Sequence, residues 1–140
     1  MAVMLSADEF TGSWQLSRVI TDRHSDQAGT LLGTARFETV GAGALLYTEV
    51  GELRFGTSPA MTATRSYRWQ FVGDAVDVRF DDGAAFHSFR PSGHAQGTDH
   101  PCGADFYQVR YDFSKWPQWQ ATWQVIGPRK DYESASCYWR

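Results

Sequence analysis

Lysine is scarce in this sequence: the 13 basic residues include only Lys115 and Lys130 as lysines, and the rest are arginines. Positive charge is scarce as a whole, with a net charge of −3 over 140 residues. No basic field exists to hold a phosphate backbone, so no nucleic-acid partner is expected. No apolar run approaches the roughly 20 residues of a membrane-crossing helix, so no membrane partner is expected. Cysteine is limited to Cys102 and Cys137. These could pair, but they form no CxxC or metal spacing, and no metal site is assigned. The first ten residues, MAVMLSADEF, carry no basic region and reach acid by Asp8. The expectation is therefore a soluble cytoplasmic protein with free thiols. Glycine-rich phosphate loops, nucleophile elbows and a Ser-His-Asp ordering are missing too, so no catalytic residue and no cofactor is assigned. Linkers, internal repeats and low-complexity stretches do not occur, and no helical pattern outlasts one turn.

Aromatic residues are plentiful, at 15% of the chain. Such a load suits strands and pocket walls. The length favours one domain over residues 1–140 and can bury a core without staples. Ser6 followed by Glu9 is a capping-box pattern, predicting a short helical turn that either plugs a barrel end or lies on the surface.

Alternation then runs almost to the end. From Gly12 to Arg23, Trp14, Leu16, Arg18 and Ile20 share one face. A turn is expected over Asp26–Gly29, then a strand over 31–39 with Leu31, Gly33, Ala35 and Phe37 inward. Ala44 to Val50 is a strand whose faces stay ambiguous, with Leu45, Tyr47 and Glu49 opposed to Leu46, Thr48 and Val50. From Met61 to Val72, Met61, Ala63, Arg65, Tyr67, Trp69 and Phe71 share a face. Val76, Val78 and Phe80 follow, and Asp82-Gly83 marks a hairpin into a strand holding His87. Residues 91–103 are the least regular. Asp105, Tyr107, Val109 and Tyr111 then share a face, as do Trp119, Ala121, Trp123 and Val125, ahead of a bend at Gly127-Pro128. Period two with one apolar face is the mark of half-buried antiparallel strands. Some eight to ten such strands at hairpin spacing predict an all-β fold, a closed antiparallel up-and-down barrel. A barrel of that size holds packed side chains or one small ligand.

Gly12-Ser13-Trp14 resembles the G-x-W start of lipocalins and related calycins. That resemblance implies a barrel in which an arginine of the last strand packs over the tryptophan, here Arg140 over Trp14. The chain is also similar, over nearly its whole length, to an uncharacterised bacterial lipocalin-like family of unknown function. The likeness lies in Gly12-Ser13-Trp14 with Arg18, in Tyr47-Thr48-Glu49-Val50-Gly51, in residues 100–107 and in Gly127-Pro128-Arg129-Lys130-Asp131-Tyr132. It implies the fold and no activity.

Two arginines, Arg18 and Arg65, fall on apolar faces. A buried guanidinium needs an anion, and parity offers Asp105 and, less directly, Glu49. One reading is a structural ion-pair network. The other leaves an arginine free for a ligand. A guanidinium beside Tyr47 or Tyr67 binds a carboxylate with two bonds, as internal arginine and tyrosine do in fatty-acid-binding proteins, another calycin branch. The expected function is thus a binding protein for a small anionic or amphipathic molecule. Tyr47, Tyr67, Trp69 and Trp123 would form the wall, Arg129 or Lys130 the rim, and Tyr132 would point inside. The alternatives are an enzyme with His100 and Asp105 as an acid–base pair, a haem-binding barrel using His87 or His94 as nitrobindin uses a histidine, and a filled structural or partner-binding barrel. A homodimer is left open.

Overall fold

The computed structural model describes residues 3–140. A four-residue helix, α1 (Ala7–Phe10), precedes eleven strands. These are β1 (Gly12–Asp22), β2 (Gln27–Gly41), β3 (Ala44–Phe55), β4 (Met61–Val72), β5 (Ala75–Phe80), β6 (Ala85–Phe89), β7 (His94–Gln96), β8 (His100–Cys102), β9 (Asp105–Asp112), β10 (Trp119–Gly127) and β11 (Lys130–Trp139). They form one antiparallel sheet ordered β6-β5-β4-β3-β2-β1-β11-β10-β9-β7, with β8 paired to β9. The pairings join neighbours in sequence except β7 with β9, between which β8 intervenes, and β1 with β11, which joins the two ends of the chain's strand run through Gln15↔Trp139 to Asp22↔Tyr132. The expected all-β up-and-down barrel is thus what forms.

Closure is incomplete at one seam. The strand ladders stop at β6 on one side and β7 on the other. Thr98 N–H donates to Ser88 O at 2.9 Å and Ser88 N–H donates to Thr98 Oγ1 at 3.0 Å, and these two bonds bridge the gap. Gly97 lies beside it. A Cβ there would come within 2.9 Å of the His87 ring, so a glycine lets the histidine fill the seam from inside.

Strand ends differ from expectation where side chains cap turns. The turn expected over Asp26–Gly29 lies over residues 23–26, because Asp22 Oδ1 accepts the His24 and Ser25 amides and Asp26 takes a left-handed φ of 54°. The ladder therefore starts at Gln27. β3 runs on to Phe55, since Gly51 faces Gly33 on β2 and the two backbones approach closely. Residues 91–103 are not loop throughout but carry β7 and β8.

α1 resolves the choice left by its sequence: it is a plug. Ser6 N–H donates to Glu9 Oε2 at 2.7 Å, closing the capping turn. Phe10 is fully buried and meets Phe37, Trp69, Trp116 and Trp119 at ring separations of 4.9–5.7 Å. Trp14 Nε1–H donates to Phe10 O at 2.8 Å. Arg140 lies 3.9 Å above the Trp14 ring and donates to Thr11 O and Glu9 O. The arginine-over-tryptophan contact implied by the G-x-W start is present. Its effect is to seal the end of the barrel where β1 begins. The opposite end, where β4, β9 and β11 begin, is the mouth.

Candidate functional site

The inward faces of β1, β3 and β4 bring charge into the middle of the barrel, and β10 sets Trp123 beside it. β3 settles its ambiguity by turning Leu45, Tyr47 and Glu49 inward, all buried. Arg18 is also buried, at 4% exposure. Its Nη1 and Nη2 donate to Glu49 Oε2 and Oε1 at 2.7 and 2.9 Å, and its Nε donates to Ser136 Oγ at 2.7 Å. Ala35 on β2 stands opposite Glu49, and its short side chain leaves room for the reach from β1. Tyr47 Oη–H donates to Glu49 Oε1 at 2.7 Å. The single Tyr47 proton is thereby used, so the 2.8 Å contact between Tyr47 and Tyr138 is donated by Tyr138.

Burial alone pushes the Glu49 carboxyl up. The Arg18 hydrogen bonds and charge, then the Arg65 charge and the Tyr47 hydroxyl, outweigh it and hold the group below the usual carboxylate range. Burial likewise disfavours the charged Arg18, but the hydrogen bonds it donates to Glu49, with the charge of that carboxylate, outweigh it and keep the guanidinium protonated. Burial raises the Tyr47 and Tyr138 hydroxyls, which stay neutral.

Arg65 faces Glu49 directly across the β3–β4 ladder. It points inward as parity requires, but it is not sealed from water: its side chain is 36% exposed. Its Nε lies 3.5 Å from Glu49 Oε2, its Nη1 donates a long 3.3 Å bond to Tyr67 Oη, and its guanidinium lies 5.3 Å from the Trp123 ring centre. Two arginines thus share one carboxylate, and Arg18 holds it with two bonds.

The expected partner Asp105 goes elsewhere. Its carboxylate pairs with Lys130 at 3.0 Å on the mouth's rim, and Lys130 also reaches Tyr107 Oη at 3.4 Å. The Asp105 and Tyr107 contacts hold the Lys130 ammonium above its ordinary range. Arg129 is exposed in the β10–β11 turn and forms no ion pair among the described residues. Tyr132 is half-buried at the start of β11, and burial raises its hydroxyl. Met61, expected inward, is exposed at the rim where the wall ends.

His100 and Asp105 are not brought together as an acid–base pair. Residues 100–105 form the tight β8–β9 hairpin, with His100 opposite Tyr107 and Cys102 opposite Asp105. The His100 ring lies against Phe80, Phe86 and Tyr107, and its buried Nε2 has no partner. Among the described residues no group of three or more His, Cys, Asp or Glu is gathered for a metal. Cys102 and Cys137 are unpaired. His94 is exposed, 3.3 Å from Asp112. His87 is buried, with Nε2 2.8 Å from Tyr111 Oη and Nδ1 unpartnered. Burial, then the charge of His100, pushes it down to about 3, so it is neutral.

The void among Arg18, Glu49, Tyr67, Trp69, His87 and Trp123 measures about 30 Å3, room for about two waters. Of the two interiors that a barrel of this size allows, packed side chains or one small ligand, this lumen is largely the first, and a void of this size is far smaller than a haem. Sequence reasoning passed over Ser136 and Tyr138 and did not pair His87 with Tyr111; all four lie on inward faces. For Ser136 and Tyr138 the alternation Tyr132, Ser134, Ser136, Tyr138 was the available signal.

Three solved structures share this architecture. An S-type phycobiliprotein lyase from Guillardia theta aligns with a TM-score of 0.66 at 10% identity, over 96% of this chain and 89% of its own. A protein of unknown function from the DUF3598 family of Nostoc punctiforme aligns with a TM-score of 0.63 at 14% identity over 96% of this chain, which spans about half of that protein, 48%. A redesigned β-barrel, mFAP1, bound to DFHBI, aligns with a TM-score of 0.51 at 14% identity, over 96% and 98%. At such identities the likeness is one of fold. No curated protein matches the chain. Residues 10–140 match the model of a family described as a family of unknown function, DUF6314.

Proposed function

The chain belongs to that family, and on this premise we propose that it is a binding barrel that seats a small anionic or amphipathic molecule at the mouth, with the charged group on Arg65. One observation carries the reading: two guanidinium groups face one internal carboxylate, and Arg18 already holds it with two bonds. Arg65 is left half-exposed, with donors to spare, beside the Trp123 and Tyr67 rings. A guanidinium in that position favours an oxyanion. Lys130 is neutralised by Asp105 and so frames the rim without competing for the anion. That one barrel of similar fold, mFAP1, is bound to DFHBI supports only that a barrel of this kind can hold a small molecule.

With the void near 30 Å3, binding requires the half-buried mouth side chains to move aside. A thermal-shift screen against carboxylates and acyl-chain compounds tests the proposal. Ligand at a hundred times its Kd stabilises the fold by about 2.7 kcal/mol, which is readily visible as a rise in Tm. No shift with any compound would overturn it. That outcome would select the second reading, which the filled interior favours: a barrel that works through its outer surface, on a partner or on a second copy of itself.

A further inference from the structure

We infer that the molecule seated at the mouth is a short, flat monocarboxylate, an aryl or heteroaryl acid, rather than a long acyl chain. The inference rests on the binding reading above and narrows its ligand class. Charge sets the first limit. Arg18, Glu49 and Arg65 together leave one positive charge, while Lys130 and Asp105 cancel. A ligand with one negative charge neutralises the site, and a dianion leaves a surplus charge poorly solvated against the Glu49 carboxylate.

Donor geometry sets the second limit. The Arg65 guanidinium makes one hydrogen bond, to Tyr67 Oη, so most of its planar fork remains free. A fork of parallel N–H groups matches the two oxygens of a carboxylate. The guanidinium lies over Trp123, and Tyr67 and Phe86 meet the same indole at 5.9 and 5.1 Å. A planar acid held by that fork would lie against the half-buried Trp123 and Tyr67 side chains, an aromatic rim that suits a ring better than a chain.

Depth sets the third. Below Glu49 the barrel is closed by Phe10, Trp14, Phe37 and Trp119, each at 0–1% exposure. The void above them is about 30 Å3. A long acyl chain therefore has no bore to enter, and one laid outward from Arg65 would leave its tail in water. A short ring system needs only the mouth.

The experiment uses the full chain and four probes: naphthoate, its neutral analogue naphthylmethanol, indole carboxylate and decanoate. Calorimetric titration and thermal shift are recorded on the native protein and on Arg65→Gln, with far-UV circular dichroism to check folding. Because Arg65 is partly exposed, Arg65→Gln is expected to fold. Naphthoate and indole carboxylate are expected to bind and raise Tm. The alcohol is expected to bind at least about tenfold more weakly, and Arg65→Gln to weaken the two acids by about tenfold or more, the equivalent of 1.4 kcal/mol. Binding of decanoate without binding of the aryl acids overturns the ligand class while leaving the binding barrel intact. Equal binding of acid and alcohol, or acid binding undiminished in Arg65→Gln, overturns the placement of the anion. Absence of binding by all four in a protein that other small anions do stabilise overturns this inference alone, and absence with every compound overturns both.

Discussion

Glu49 receives two guanidinium N–H groups from Arg18 and the Tyr47 hydroxyl, and it lies 3.5 Å from Arg65. A carboxylate at 5% exposure is tolerable only because these partners satisfy its oxygens. Replacing it strands Arg18 as a buried, unpaired cation. Glu49→Leu is therefore expected to lower the unfolding free energy by about 3–5 kcal/mol, read from urea denaturation. Arg18→Met combined with Glu49→Leu should recover a large part of that loss, since an apolar pair of similar volume has no charge left to solvate. If the double variant is no more stable than Glu49→Leu alone, the ion pair is not what holds this layer of the barrel together. Arg65 has the opposite character. It is half in water and only loosely tied, which suits the anion-seating role proposed for it.

Among the elements, the plug end and the seam contrast. α1 is four residues long and too short to be stable by itself. Its place is set from outside: Phe10 sits in an aromatic box, and Arg140 from beyond the end of β11 spans the Trp14 ring, the Glu9 carbonyl of α1 and the Thr11 carbonyl that follows it. Gly12, at φ 112°, supplies the backbone bend from α1 into β1 that a side chain would resist. Arg140→Ala removes a stacked cation and two charge-assisted hydrogen bonds. The expected loss is about 1–2 kcal/mol, with a lower Tm and faster acrylamide quenching of tryptophan fluorescence as Trp14 opens to solvent. Unchanged quenching would mean that α1 holds its place without the arginine. The seam between β6 and β7, by contrast, has no strand ladder and is bridged through Ser88 and Thr98.

For the molecule as a whole, the buried titratable groups make stability depend on pH in a defined direction. His87 is neutral in the fold at about 3, against 6.5 in an open chain. The unfolded chain therefore binds a proton below 6.5 that the folded one refuses. Stability from this group is complete above that pH and is lost as pH falls toward 3. One group of this kind changes stability by about 1.4 kcal/mol per pH unit once well below 6.5, so a loss of about 2 kcal/mol is expected between pH 7 and pH 5. Glu49 adds a second, lower window. Its folded carboxyl is held below the 4.5 of a free glutamate, so its contribution is present above that value and lost as pH falls through the folded one. Urea denaturation at pH 7, 6 and 5 checks the upper window. His87→Gln, which can keep a bond to Tyr111, should flatten it. A profile as steep in that variant as in the native chain would assign the pH dependence to other groups.

Alternation of side chains is a local property of an extended backbone, and so the sequence by itself determined the strands, most of their faces and the inward direction of Arg18 and Arg65. The turn at residues 23–26 and the β7 and β8 strands were less legible, because they depend on side-chain capping and on pairing with β9 rather than on period. Which carboxylate meets which arginine was decided only by the tertiary structure. Asp105 and Glu49 both satisfy parity, yet the stagger of strands around the wall brings Glu49 on β3 to Arg18 on β1 over the short Ala35 of β2 and leaves Asp105 at the rim with Lys130. The same holds for the filling of the lumen. Parity says which side chains enter, and only the diameter and closure of the barrel decide how little space they leave.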